Sequence, residues 1–414
     1  MDRQADTTYA DKEYDDLIRP IKVAAKFVSY WPLKRNHSTS AKLFRTFHTL
    51  LMFFMVGIII FYLFRRKLNF YINKNTFINY IISMCAAQTA DIIHNLDDLD
   101  EMTACALMAS AFYLSLTRLI VFSLHQKDML YVVETMRTDW TCLSYEDRII
   151  LKEKCLFAFR LAKTFAYMVT FTVGFFAFVP ILETFILGKE RILPYRGFFF
   201  YNQTVSPFYE SIYVFNVMGG FIGGGSIIGA TTFNLIVIIH GSAKFAILRK
   251  KLEMINSNDP DADKDVIACI KDHQNAISFA DALERIINVL ALAQFVISTG
   301  LVCFAGFQAT SMMENKARLM QYSMFLNSAI LELFMFSFSG NALIDESDAV
   351  GESAYCSHWI GGTFSRSLQI LMLRSKVPSK ITAAKFYSMS LQSFSQVLST
   401  SFSYIMFLMT VNEE

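Results

Sequence analysis

The chain has 414 residues, 54% of them hydrophobic, with 40 Phe and a formal net charge of +2; its mean hydropathy is +0.36. A soluble chain of that length is ordinarily two or three domains, but this composition belongs to the membrane class, and so small a charge argues against a nucleic-acid partner. The seven cysteines show no C-x-x-C or paired Cys/His spacing, so neither a metal site nor a disulfide framework is expected, and Cys142 and Cys155 read as free cytosolic thiols.

Residues 1–40 carry Asp2, Asp11, Glu13, Asp15, Asp16 and many basic residues without a long apolar core, which is not the pattern of a cleavable signal peptide and predicts a cytosolic amino terminus. A helix crossing a hydrocarbon core of ~30 Å needs ~20 apolar residues. Apolar runs of about that length fall near residues 44–64, 77–94, 103–124, 157–187, 207–240, 282–308, 319–343 and 382–411. The two runs within 41–94 are separated by Arg65-Arg66-Lys67 and together must make one net crossing if seven spans are to leave the carboxyl terminus outside. The second run is preferred as at least part of it, because Lys74 before it and Asp97 after it have the right polarity. Lys and Arg concentrate in every other loop. Residues 125–156 hold Lys127, Arg137, Arg148, Lys152 and Lys154, residues 241–285 hold seven basic residues, and residues 345–380 hold Arg366, Arg374, Lys376 and Lys380. Those loops are expected inside. The alternate loops 95–102, 188–206 and 309–318 hold none, three and two, and the first is acidic. Asn202-Gln203-Thr204 is a glycosylation acceptor in an expected outer loop, whereas Asn36-His37-Ser38 would lie inside and go unused. Residues 241–281 read as charged continuations of the neighbouring helices, turning at Asn256-Ser257-Asn258-Asp259-Pro260; they pack into a cytosolic assembly domain or are solvated helix ends.

Some polar residues fall within the apolar runs. Asp91, Arg118, Glu183 and Glu332 are ionisable, hence costly in lipid; Arg118 and Glu183, near span ends, are read as snorkelling, and Glu332 as the deepest. The cluster Gly219, Gly220, Gly223, Gly224 and Gly225 follows no strand and precedes no Lys-Ser or Lys-Thr, so it indicates close helix approach or a kink rather than a phosphate loop. Pro180 predicts a bend near the outer end of its span. In the final span Gln392, Gln396, Ser399, Ser403, Phe407 and Thr410 recur at intervals of three or four and share one helix face. Such a stripe either borders water or makes interhelical hydrogen bonds. No H-E-x-x-H, G-x-S-x-G or Cys/His pair with catalytic spacing occurs, so an enzyme is not expected, and no cofactor or metal is implied.

The carboxyl-terminal third carries long motifs: Gly340, Leu343, Glu346 and Ser347 of GNALIDES; Ala354, Tyr355 and Trp359; Arg374, Ser375, Pro378, Lys380, Ile381, Thr382, Ala383, Lys385 and Phe386; then Ser403, Tyr404 and Leu408. This resembles the insect odorant receptor family. It departs at Ala384, where the family usually has Gly, and at Ile405, where it usually has Phe, neither change touching chemistry. Weaker resemblance includes Trp31-Pro32 and Asn95–Glu101. With only about 40 residues in the second cytosolic loop, the chain looks like an odour-tuning subunit rather than the co-receptor, and the T-Y-x-x-x-x-x-Q-F ending of the gustatory receptors is absent.

The resemblance implies an all-α seven-transmembrane bundle with a cytosolic amino terminus, working as a subunit of a ligand-gated non-selective cation channel. Its partners would be the odorant receptor co-receptor in a heterotetramer, a small volatile ligand and the bilayer, in the plasma membrane of olfactory sensory neuron dendrites. On this reading 1–40 is a cytosolic segment, 41–344 holds six spans and the ligand bundle, 345–380 is an assembly segment, and 381–414 is the pore helix with a short tail. The polar stripe lines the pore, with Phe407, Thr410 and Val411 at its narrow outer end; no acidic ring lies on it, which implies weak selectivity among cations, with Glu413 and Glu414 at the mouth. Family position places a ligand site on Met108, Phe112 and Tyr113, Phe171, Phe175 and Phe176, Tyr213 and Val217, and Tyr322 and Phe325. The competing functions are a gustatory-type channel; a G-protein-coupled receptor, which would put its amino terminus outside and carry D-R-Y and N-P-x-x-Y motifs; and a transporter, which would show matching halves.

Overall fold

The computed structural model describes Tyr14, Asp15, Ile18, Arg19, Lys22 and residues 76–413, apart from 187, 189 and 200–202. The apolar run 44–64, Trp31-Pro32, Asn36, Asn202 and Glu414 lie outside the described residues. Helices α1 (Thr76–His94), α2 (Leu99–Leu124), α3 (Gln126–Cys142), α4 (Tyr145–Phe185), α5 (Phe208–Glu253), α6 (Ala262–Ser311), α7 (Lys316–Asp348), α8 (Val350–Tyr355) and α9 (Ser365–Ser375) precede a two-stranded hairpin, β1 (Thr382–Ala383) and β2 (Tyr387–Ser388), and a last helix, α10 (Leu391–Glu413). Among the described residues six helices are long and apolar enough to cross a membrane: α2, α4, α5, α6, α7 and α10. Helix α1, of 19 residues, packs on α2 and α5 through Tyr80, Ile81, Met84 and Cys85 and completes the bundle.

Local chemistry starts these helices where they start. Asp98 caps α2 by accepting from Glu101 N at 3.0 Å, Ser144 caps α4 by accepting from Asp147 N at 3.2 Å, and Asn315 caps α7 by accepting from Arg318 N at 3.3 Å. Helices α5 and α6 have 46 and 50 residues, about 70 and 75 Å at 1.5 Å per residue, which is more than twice a hydrocarbon core. Their inner ends therefore project, as the charged segment 241–281 predicts, and they turn through residues 254–261. Outer and inner denote here the two ends as the charge bias assigns them. Helix α5 is the axis of the bundle: its most apolar window is 83% buried, and it touches α1, α2, α4, α6 and α7.

Two stretches differ from the sequence reading. Residues 125–156, expected as a loop, contain α3 and the first turns of α4. Met129, Val132, Met136 and Trp140 recur at intervals of three or four and are buried, so α3 is amphipathic, too polar to register as a span and too periodic to be a linker. Asp139 docks it on α5, accepting from Lys244 Nζ at 2.6 Å and lying 2.9 Å from His240 Nε2. Burial pushes the Asp139 carboxyl up, but hydrogen bonds and charge from His240 and Lys244 outweigh it and hold the group below the usual carboxylate range. The run 382–411 is likewise not one helix. Its first residues form the hairpin, with Ala384 at φ 47° and Lys385 at φ 67° in the left-handed region, which an α-helix cannot include.

The motif residues hold this inner region together. Glu346 accepts from Lys154 Nζ at 2.6 Å and Arg249 Nη1 at 2.8 Å, joining α7 to α4 and α5. Ser347 Oγ accepts from Ser379 N at 2.9 Å, Glu284 accepts from Thr382 N at 2.7 Å, and a Cβ on Gly340 would collide with the Met389 backbone. The left-handed φ at residue 384 explains why a glycine is usual there: a Cβ in that conformation costs roughly 1 kcal/mol or more, partly offset by the greater freedom glycine has when unfolded. Ala384→Gly is therefore expected to stabilise the chain by about 0.5–1 kcal/mol, seen as a higher melting temperature of the purified protein; an unchanged or lower value would show that the hairpin is not strained there.

Candidate ligand-binding site

In the outer half of the bundle α2, α4, α5, α6 and α7 line an apolar cavity between the helices, the place where a helical bundle ordinarily takes a small organic ligand. Its walls are mainly apolar: Met108 and Phe112 on α2, Phe165, Val169 and Phe176 on α4, Ile227 on α5, Leu301 on α6, Phe325 on α7. The α5 wall is made by glycines. A Cβ at Gly220 would collide with the Tyr195 hydroxyl, one at Gly224 would lie 2.9 Å from Val173 Cγ2, and one at Gly223 would lie 3.2 Å from Phe112 Cε1. The glycine cluster thus admits side chains of neighbouring segments against the α5 backbone.

Tyr195 comes from the loop between α4 and α5 and closes the outer end. Its ring stacks on Phe176 at 5.7 Å and meets Phe112 edge-on at 5.7 Å; Phe176 also packs edge-on against Tyr322 at 6.2 Å and Phe325 at 6.0 Å. Backbone contacts hold the loop in place: Tyr195 N donates to Asn216 Oδ1 at 3.2 Å, and Phe198 N to Ala87 O at 2.8 Å. Arg196 pairs with Glu101, and its Nε lies 3.6 Å from Asp91 Oδ2. Burial pushes the Tyr195 phenol up, so the hydroxyl stays neutral.

The inner end is polar. Glu332, 4% exposed, lines the cavity. Its Oε1 accepts from Arg118 Nη2 and from Thr231 Oγ1 at 2.7 Å. Arg118 Nη2 also donates to Gln294 Oε1 at 2.5 Å, and Gln294 Nε2 donates to Ser298 Oγ at 2.8 Å. One network thus ties α2, α5, α6 and α7. The snorkelling expected of Arg118 and Glu183 is therefore corrected. Arg118 faces Glu332 and Gln294 inside the protein, and Glu183 is buried against Arg318 Nη2 at 2.6 Å, so each charge is met by a partner instead of by water at the membrane surface.

Of the residues proposed from sequence for a ligand, Met108, Phe112, Phe176 and Phe325 line this cavity, and Tyr322 packs behind Phe176. The others lie elsewhere. Tyr113 is 42% exposed, its hydroxyl 2.8 Å from Thr89 Oγ1, and Phe171 is 60% exposed beside Phe175. Tyr213 donates to the Ala177 carbonyl, and Val217 is half-buried outside the cavity wall. Sequence reasoning missed Tyr195, which sits in a loop without periodicity, and Ser115, Thr172 and Ser328, hydroxyls too common in membrane helices to stand out. Glu332 was singled out for its depth, not for this cavity.

The final helix is held along one edge. Its Ser393, Ser401 and Ile405 are buried, Ser401 Oγ donates to Thr299 O on α6 at 3.1 Å, and a Cβ on Gly306 would collide with Ile405. Gln392, Gln396, Ser399, Ser403, Phe407, Thr410 and Val411 are all exposed, and the most apolar window of α10 is only 11% buried.

If Gly220 is required for Tyr195 to close the cavity, Gly220→Ala should lower stability by about 1–3 kcal/mol through overpacking. Gly300→Ala, whose Cβ would meet only Phe304 at ordinary contact distance, should be neutral or stabilising. Melting of the two purified variants checks this, and equal behaviour would contradict it.

Comparison with known proteins agrees with this architecture. The model of the family described as 7tm Odorant receptor matches residues 98–402. Odorant receptor 13a of Drosophila melanogaster is 26% identical over 353 residues, covering 78% of this chain and 83% of its own length, and odorant receptor 10 of Aedes albopictus is 27% identical over 213 residues, covering 50% and 56%. The insect olfactory receptor OR5 from Machilis hrabei in complex with eugenol superposes with a TM-score of 0.80 at 13% identity, covering 97% of this chain and 99% of that one. The fold is thus the seven-helix bundle of that receptor. With the family model spanning most of the helices described above, the chain belongs to the 7tm odorant receptor family: it is a multi-pass membrane receptor, not an enzyme.

Proposed function

We propose that this odorant receptor is an odour-tuning subunit of a ligand-gated, non-selective cation channel. It assembles with the odorant receptor co-receptor as a heterotetramer in the plasma membrane of olfactory sensory neuron dendrites. The observation that carries the reading is the state of α10. A helix bearing a polar stripe, with so little of its surface covered by its own chain, needs water or neighbouring subunits on the remaining faces. Four such faces turned inward make a conduit lined by Gln392, Gln396, Ser399 and Ser403 and narrowed by Phe407, Thr410 and Val411. The inner region of α8, α9 and the hairpin supplies the assembly surface, with the amino terminus cytosolic.

A small volatile molecule enters the cavity under Tyr195, where burial of apolar surface at ~25 cal/mol per Å² supplies most of the affinity. The cavity and the conduit share a helix. Leu301 of α6 lines the cavity, while Thr299 and Gly306 of the same helix seat α10. A ligand that shifts α6 therefore shifts the seat of the pore helix. The related receptor OR5 has been solved in complex with eugenol, which supports a small organic ligand here.

Whole-cell recording with an odorant panel is the test. Currents are expected when the chain is expressed with the co-receptor, without dependence on guanine nucleotide, and cysteines at Ser403 and Thr410 should react with water-borne thiol reagents in stimulated complexes. Absence of current across a broad panel, or protection of both cysteines at rest and under stimulation, would refute the proposed conduit.

A further inference from the structure

The polar groups of the cavity are unbalanced in a way that selects ligand chemistry. Ser115 Oγ donates to Ala111 O at 3.0 Å, Thr172 Oγ1 to Met168 O at 2.9 Å, and Ser328 Oγ to Met324 O at 2.9 Å, so these hydroxyl protons have acceptors within their own helices. Thr172 Oγ1 and Ser328 Oγ also lie 3.2 Å apart, so what the three hydroxyls leave to a ligand at this end is their remaining lone pairs. Glu332 is the strongest acceptor of the set: both donors that reach it, Arg118 and Thr231, fall on Oε1, and among the described residues no donor engages Oε2. Oε2 carries no donor, on a side chain 4% exposed and lining the cavity, while across the ion pair Arg118 Nη1 is buried and likewise without a hydrogen-bond partner. Arg118 stands behind the carboxylate and is not part of the cavity wall.

From this geometry we propose that Glu332 Oε2 recognises the hydroxyl of a neutral ligand, an aliphatic alcohol or a phenol lying along α5 with its apolar body toward Tyr195. The inference rests on the reading of the cavity as a ligand site. Two physical arguments narrow the class. A carboxylate accepts and does not donate, so esters, ketones and ethers gain nothing from it. An ammonium, although a donor, would add a second positive charge beside a carboxylate that Arg118 already neutralises, in surroundings that do not solvate it. The wall contributed by α5 from Gly220 to Ile227 is about 10 Å long at 1.5 Å per residue, which favours an extended chain over a compact molecule. The Tyr195 hydroxyl, which no described hydrogen bond engages, lies at the opposite end as the one donor that end offers, so the selection for a hydroxyl is made at the Glu332 end, with the apolar body of the ligand between the two.

The test is a series matched in heavy-atom count, 1-heptanol, hexyl methyl ether, octane and heptylamine, with the saturable rise in melting temperature of the purified full-length chain read against ligand concentration. The expected result is that the alcohol half-saturates at a concentration about tenfold or more below that of the ether and the alkane, the range given by one hydrogen bond to a charged acceptor. Glu332→Gln, which offers a donor as well as an acceptor, should reduce the alcohol-to-ether ratio to about threefold or less. The unaltered chain decides the ligand class even where that variant does not fold. Equal binding of ether and alcohol overturns the assignment of Glu332 while leaving the cavity a ligand site, and strongest binding of the amine overturns it in favour of an uncompensated anion. Binding of none of the four overturns the cavity reading itself.

Discussion

An arginine and a glutamate buried in a membrane bundle must meet each other. Either one alone, in surroundings without water, carries a desolvation penalty of several kcal/mol that the neutral groups of Gln294 and Thr231 repay only in part. Arg118 and Glu332 lie on α2 and α7, helices distant in sequence, so their pairing sets the rotation of both about their axes. Thr231 and Gln294 add α5 and α6 to the same point. With four helices set at that level, the space above them is set too, and the cavity is what remains between the polar floor and the aromatic group of Phe112, Phe176 and Tyr195.

The rest of the bundle follows from the need to bring large side chains close to α5. A helix with ordinary residues at 219–224 would hold its neighbours off. The glycines there let Tyr195, Phe112 and Val173 reach the backbone, so packing is close around a helix whose middle is almost wholly covered. The last helix is the reverse case. It is seated on α6 and α7 along one edge and is otherwise uncovered by its own chain.

Much of this was legible in the sequence for identifiable reasons. Long apolar runs mark spans because a helix satisfies every backbone group within one such run in lipid, and the polar stripe of α10 shows in the spacing of Gln392, Gln396, Ser399 and Ser403. Motif residues such as Gly340, Glu346 and Ser347 announced the inner region, and the structure assigns them contacts: close approach to Met389, the Lys154 and Arg249 ion pairs, and the Ser379 backbone. The departure at Ala384 carries a consequence that residue type alone does not display, because its backbone is left-handed. What stayed hidden was partnership across the sequence. The spacing of α2 cannot tell that Arg118 meets a residue 214 positions later, nor can a loop without periodicity show that Tyr195 folds inward. Phe171 and Phe176 are the same residue type five positions apart, so they point to different sides of α4, and only the packing of α4 says which ring is exposed and which is in the cavity.

The bundle therefore depends on Arg118 and Glu332 acting as one unit. A double-mutant cycle measures that directly: Arg118→Met, Glu332→Met and the combined variant, each assayed for melting of the purified receptor. Each single change is expected to destabilise by about 3–5 kcal/mol, because it strands a buried charge, while the double change costs far less than their sum and folds. Additive effects of the two single changes would mean that the pair is not coupled, and the floor of the cavity would have to be held by something else.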